Sequence, residues 1–289
     1  MFSIGILQLT QNLDDAVKGF KSGLNNLNID VNYHYLNADG NIDELPKLAQ
    51  QLADKKVDLI FACSTPSAKA AVALTENIPV LFTPVFDPVS VNLVNSIEKP
   101  NGKATGMSGM VSAKEKLTFI RNILPKAKHI GVLYHSKDDN SIIEKNNILN
   151  NNTDLTITEL ELKSAEDISL LEEKLSPSFD ALFLTIGKII EENFASIVYY
   201  ADAHNIPIIA SHAPNVSAGA LGALVANHFK LGIACANQAK LILVDNKKPA
   251  DIAVGITDEA EILLNAFVAE NLNIEIPSEV LKTATEVFE

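Results

Sequence analysis

The stretch Cys63-Ser64-Thr65-Pro66-Ser67-Ala68 sets a thiol and three hydroxyls where a short apolar run gives way to a proline-started helix. The first N–H groups of a helix have no intrahelical partner, and the helix dipole is positive there. Such a turn favours an anion such as a carboxylate, and Ser64, Thr65 or Ser67 could add hydroxyl donors. The same residues suit plain N-capping, and their spacing leaves both roles open. The other polar residues able to meet a ligand also stand at the ends of apolar runs. In the first half these are Gln8 and Thr10, then Thr83, Phe86 and Asp87; in the second they are His135, Asn140 and Ser141, Thr185 with Gly187 and Lys188, and Ser211 with His212. Asp87 could accept from a ligand ammonium or begin a turn before Pro88. Tyr134, Phe82 and Phe86 could be stacking walls or core, and Lys188 reads as solvent-facing.

The elements that must position these residues follow from periodicity. Residues 3–9, 30–36, 58–63 and 79–83 read as strands. Between them lie helical patterns, with Leu13, Ala16, Val17, Phe20, Leu24 and Leu27 on one face, Leu45, Leu48, Ala49 and Leu52 on another, and Pro66 at a favoured first-turn position. Residues 84–111, rich in Pro and Gly, break the rhythm and read as the end of one lobe and a crossover. The pattern then restarts. Strands are predicted at 129–134, 155–160, 181–185, 207–210 and 219–226, and helices at 140–150, 165–175, 189–203 and 229–244. Ile4-Gly5-Ile6-Leu7 is echoed by Ile130-Gly131-Val132-Leu133, and Asn77-Ile78-Pro79-Val80 by Asn205-Ile206-Pro207-Ile208. Two echoes at matching places predict a pair of similar lobes. The fold class is α/β, with two doubly wound parallel-sheet (Rossmann-like) lobes joined by a hinge. One lobe is assigned 1–111 plus about 227–250, the other 112–226 plus about 251–289. Ligands of open parallel sheets bind outside the carboxyl ends of the strands, so the residues above are expected to face a cleft between the lobes.

Composition narrows the function. A net charge of −13 over 289 residues disfavours nucleic acid and anionic membrane surfaces. No apolar run reaches the length of a membrane span. No basic and apolar leader precedes the first strand, so the chain is expected either to be cytoplasmic or to have had a signal segment trimmed. GxGxxG and GxxxxGK[ST] are absent, Gly106-Met107-Ser108-Gly109 falls short of a nucleophile elbow, and the six histidines lack metal-ligand spacing. No cofactor, metal or catalytic residue is therefore assigned. Cys63 and Cys235 read as buried free thiols, with a disulfide between them left open.

In order and spacing, several segments together resemble the ABC-transporter substrate-binding proteins of the tryptophan/tyrosine type. They are Ile4-Gly5-Ile6-Leu7-Gln8, Lys55-Lys56-Val57-Asp58-Leu59-Ile60 leading to Thr65-Pro66-Ser67-Ala68, Ile78-Pro79-Val80-Leu81-Phe82-Thr83 with Asp87-Pro88-Val89, Gly131-Val132-Leu133-Tyr134 with Asn140-Ser141, Lys248-Pro249-Ala250-Asp251-Ile252 and Ile274-Glu275-Ile276-Pro277. The resemblance implies a type I periplasmic binding protein fold and a monomeric receptor, periplasmic or lipid-anchored, that hands an aromatic amino acid or related solute to membrane permease subunits. It implies that Thr65 to Ser67 and Asn140-Ser141 hold the ligand's polar ends, with Asp87 at the cleft. Two departures stand out. Thr185-Ile186-Gly187-Lys188 and Ser211-His212-Ala213 lack acids that relatives carry there, so an α-amino group loses two expected partners.

Two other readings are weighed against binding. Ala62-Cys63-Ser64-Thr65 resembles the strand-end cysteine of cofactor-independent amino-acid racemases, but Cys235, the second base such chemistry needs, falls inside a predicted helix. A ligand-sensing effector domain of the same fold is the other, with no helix-turn-helix in view.

Overall fold

A computed structural model describes residues 1–74, 77–257 and 260–289. The chain begins with β1 (Phe2–Gln8), α1 (Asp14–Asn26), β2 (Val31–Asn37), α2 (Leu45–Asp54), β3 (Leu59–Cys63), α3 (Thr65–Leu74), β4 (Val80–Val85) and β5 (Ala104–Ser108). It continues through α4 (Ala113–Ile123), β6 (His129–His135), α5 (Asp139–Asn151), β7 (Thr156–Leu162), α6 (Leu171–Lys174), β8 (Ala181–Leu184), α7 (Lys188–Glu192), α8 (Phe194–Ala203), β9 (Ile208–Ala210), α9 (Pro214–Ser217) and β10 (Gly222–Ala226). It closes with α10 (His228–Leu243), β11 (Ala260–Asn265), α11 (Ala266–Asn271), α12 (Ser278–Thr283) and β12 (Glu286–Phe288). Two compact units result, residues 1–110 with 226–259 and residues 111–225 with 260–289.

The first unit holds a five-stranded sheet in the order β2-β1-β3-β4-β5, and its described pairings are parallel. Its central strands β3 and β4 are short apolar runs buried on both faces, as parallel strands between helices must be, while the edge strand β2 is polar and partly exposed. Phe20 of α1 stacks on Phe61 of β3 with ring centroids 4.0 Å apart. On this face α1 meets α10 at unusually close range. A Cβ built on Gly19 would lie 2.0 Å from the Phe229 carbonyl oxygen, and one on Gly232 2.1 Å from that of Ala16. Only glycine lets the two backbones approach this closely. Residues 251–257 belong to this unit through hydrogen bonds: Thr105 Oγ1 donates to Ile252 O at 2.7 Å, Ser108 N to Gly255 O at 2.8 Å, and Gly255 N to Gly106 O at 2.9 Å.

The second unit holds a seven-stranded sheet in the order β12-β11-β10-β9-β8-β6-β7. Leu133, Leu182, Leu184, Ile197, Ile208 and Val216 anchor its core. No helix among the described residues is long and apolar enough to cross a membrane.

The parallel two-sheet fold agrees with the sequence reading, and individual elements differ. The expected helix at 165–175 is a 3-10 stretch at Ala165–Leu170 followed by the single turn of α6. The bond from Asp167 N to Ser164 O closes the tighter turn, and Ile168 and Leu171 are buried at its three-residue spacing. The expected helix at 189–203 is broken into α7 and α8. Asn193 turns its amide back to the Ile189 carbonyl at 2.8 Å, a side-chain bond that competes with helix continuation. Within 84–111, taken as a break, β5 is a buried strand.

Gly232→Ala should lower stability by about 1–3 kcal/mol, the usual cost of forcing extra volume into a packed contact. Gly102→Ala, whose added carbon would meet nothing nearer than 4.0 Å, should change little. Urea unfolding midpoints of the two variants check the difference.

Candidate ligand-binding site

The predicted residues fall into two sets, one in each unit, and in both they gather at the carboxyl ends of parallel strands. In the first unit Gln8 pairs in register with Cys63, and one step earlier Ala62 pairs with Phe82. Gln8, Cys63 and Thr83 therefore form a row across β1, β3 and β4 with their side chains on one sheet face. All three are fully buried. Neither amide atom of Gln8 has a partner among the described residues, and Thr83 Oγ1 has none beyond the weak thiol of Cys235. An unmet buried polar group costs free energy, so this amide is a candidate for a hydrogen bond that the chain does not itself supply.

Ser64 sits at the turn from β3 into α3 with φ +96°, a backbone strain uncommon for a residue with a side chain and often found at binding turns. Its hydroxyl donates to Ser67 Oγ at 3.0 Å and accepts from Ser67 N at 3.4 Å, so the capping role is filled. Thr65 and Phe86 are buried beside this edge. Asp87 is engaged in a local turn. Its Oδ1 accepts from Val89 N at 3.1 Å and Ser90 N at 3.0 Å, and its Oδ2 from Ser90 Oγ at 2.7 Å.

The two cysteines, both free, lie in this unit. Burial drives the Cys63 thiol well above its ordinary range, with Cys235 adding to the shift, and burial drives Cys235 upward too. Thiols held in the neutral form by desolvation make poor bases and poor nucleophiles.

In the second unit a directed chain of hydrogen bonds crosses the strand ends. His135 N donates to Ser141 Oγ at 2.8 Å, the Ser141 and Thr185 hydroxyls meet at 2.6 Å, and Thr185 Oγ1 donates to Leu133 O at 3.1 Å. Asp138 caps α5, its Oδ1 accepting from Asn140 N and Ser141 N. Tyr134 stands apart from this cluster: Lys145 Nζ lies 4.8 Å from its ring centroid and pairs with Glu159 at 2.8 Å. Burial pushes the Tyr134 phenol up. Lys188, half exposed, pairs with Glu192 one helical turn on. His212 Nδ1 and His135 Nδ1 are buried without a partner among the described residues.

The charged core of this cluster was not read from the sequence. Lys116 of α4 and Glu144 of α5 form an ion pair with side chains 6% and 2% exposed. Ser211 Oγ donates to Glu144 Oε1 at 2.6 Å, Lys116 Nζ donates to Ser211 Oγ at 3.1 Å, and Ile186 N donates to Glu144 Oε2 at 2.6 Å. The carboxylate thus ties α4, α5 and the turns after β8 and β9 together. A signal for Glu144 was available. With Ser141 and Ile148 it makes the buried face of α5, so an acid falls on an otherwise inward stripe. Lys116 shares the buried face of α4 with Ala113, Leu117 and Ile120, after a Ser112–Glu115 capping box. Among the described residues no group of three or more His, Cys, Asp or Glu side chains is placed to hold a metal ion.

Two parallel-sheet units with buried polar groups collected at their strand ends define a solute receptor of the type I periplasmic binding protein fold. The chain belongs to the ABC transporter substrate binding protein family, whose model matches residues 3–288. A tyrosine-binding protein of Clostridioides difficile is 32% identical over 285 residues, covering 94% of this chain and 81% of that one. The crystal structure of an ABC domain in complex with L-Trp from Streptococcus pneumoniae superposes with a TM-score of 0.89 at 28% identity, covering 99% of both chains. A ligand-free, open substrate binding protein with adhesive properties from Clostridium difficile gives 0.84 at 29% identity, covering 100% of this chain and 99% of the other. The family suggested by the scattered segments is the family found.

Removing one partner of a buried ion pair leaves the other uncompensated. Glu144→Leu should destabilise the protein by about 3–5 kcal/mol, and Lys116→Met with Glu144→Leu should recover most of the loss. Urea unfolding of the single and double variants checks both values.

Proposed function

We propose that this chain is the extracytoplasmic receptor of an ABC transporter, that it captures a small solute of the aromatic amino-acid type, and that it delivers this solute unchanged to the permease subunits as a monomer. Relatives support the ligand class: one is a tyrosine-binding protein, and another was solved in complex with L-Trp. The observation that carries the ligand contact is Gln8, a wholly buried amide with neither atom partnered among the described residues. Gln8, Ser64, Thr65, Ser67, Thr83, Phe86 and Asp87 are proposed as the first unit's share of the contacts. Tyr134, Asn140, Ser141, Thr185, Ser211 and His212 are proposed as the second unit's share, with Tyr134 at its margin. The buried, upward-shifted thiols of Cys63 and Cys235 weigh against racemase-like proton transfer.

L-tyrosine or L-tryptophan should raise the melting temperature in a thermal-shift screen, because a ligand that binds only the folded state stabilises it by about 2.7 kcal/mol at a hundred times its Kd. Gln8→Leu should leave the ligand-free protein as stable or more stable, since it removes an unmet polar group, yet weaken binding by about tenfold or more. Cys63→Ser should keep binding. A Gln8→Leu variant with unaltered affinity would sink the Gln8 contact, and interconversion of amino-acid enantiomers lost in Cys63→Ser would sink the receptor reading.

A further inference from the structure

Among the described residues Gln8 is the one buried side-chain amide with both of its polar atoms unmet. Gln238 donates its Nε2 to the carbonyls of Gly106 and Ala253 and leaves only its acceptor open. Gln8 is wholly buried at the last position of β1, in the row it shares with Cys63 and Thr83. Neighbouring strands lie about 4.8 Å apart, so a group seated over Cys63 stands one strand from Gln8 and one from Thr83. Thr83 is also wholly buried, and its hydroxyl meets only the weak thiol of Cys235. The row carries no charge. Burial holds Cys63 as the neutral thiol, and no charged side chain among the described residues of the first unit is buried.

These features fix the chemistry of a group that would complete the row. It must be neutral, because a charge set down here would lose its hydration with no buried counter-charge to replace it. It must donate to Gln8 Oε1 and accept from Gln8 Nε2. A hydroxyl does both. An indole N–H only donates, a carboxylate is charged and only accepts, and a bare phenyl ring does neither.

We propose that Gln8, with Thr83 across the row, is the specificity-determining residue that reads a phenolic hydroxyl, so that the site favours a hydroxyl-bearing aromatic solute over the same ring without it. The inference rests on the receptor reading and narrows its ligand from aromatic amino acids at large to phenolic ones. The ammonium and carboxylate of such a solute are left to other polar groups of the site.

The test is calorimetric titration of the intact protein with L-tyrosine and with L-phenylalanine, which differ by that hydroxyl alone, reading the ratio of the two dissociation constants. The wild type should bind L-tyrosine tighter by about tenfold or more, because L-phenylalanine leaves the buried amide unmet. Gln8→Leu should bring the two constants within about threefold of each other, and Thr83→Val should lower the ratio by about threefold or more. Gln8→Met keeps the length of the side chain without its amide, and it carries the test if Gln8→Leu fails to fold. A purely structural role would alter stability and both affinities together without moving the ratio. A wild type that binds the two amino acids within about tenfold overturns the proposal, as expected if a resident water meets Gln8 instead. A folded Gln8 or Thr83 variant that keeps the wild-type ratio overturns it too. A protein that binds neither of these amino acids nor L-tryptophan overturns the aromatic reading itself, which is a distinguishable result.

Discussion

A carboxylate taken out of water must be met on all sides or it will not stay. Glu144 is met by an ammonium, a hydroxyl and a backbone N–H, and each comes from a different segment. That requirement organises the second unit's functional edge. The turn after β8 is held through Ile186 N, the residue after β9 through Ser211, and α4 through Lys116. A second, neutral chain through Ser141 and Thr185 stitches β6, α5 and β8 beside it. The loops that would touch a ligand are thus pinned by groups that need not touch it, which is how a binding surface on loops acquires definite geometry.

The first unit carries no buried ion pair at its strand ends. Gln8 there has both amide atoms unmet among the described residues, and in the same unit Gly19 and Gly232 let α1 and α10 pack closely. In the second unit Glu144, Ser141 and Thr185 are satisfied within the chain, whereas Gln8 in the first unit, like the Nδ1 atoms of His135 and His212 in the second, has no partner among the described residues. A receptor that binds reversibly has use for both, a rigid frame and a set of hydrogen bonds completed only by the ligand.

Much of the frame was legible because parallel sheets write themselves plainly. Short apolar runs with helical patterns between them, the repeated Ile-Gly-hydrophobic opening, and Pro66 at a helix start each followed from one local rule. The failures had local causes too. β5 is Ala-Thr-Gly-Met-Ser, with too little apolar or branched character to stand out among prolines and glycines. Asn193 reads as an ordinary polar helix residue, and nothing in the periodicity signals that its side chain turns back to the Ile189 carbonyl. At the site, residues immediately after strands could be named in advance because the fold puts them there. Lys116 and Glu144 could not, since they reach the edge from the flanks of helices, and the pairing of α4 with α5 is a tertiary fact.

The central claim is that the unmet Gln8 amide awaits a ligand while Glu144 is already satisfied. A crystal structure of the protein grown with L-tyrosine tests it most directly. The account predicts electron density for the ligand with a polar atom within about 3.2 Å of the Gln8 amide, and Glu144 still bound to Lys116, Ser211 and Ile186 N. A ligand seated away from Gln8, or an ammonium that has displaced Lys116 from Glu144, would contradict it.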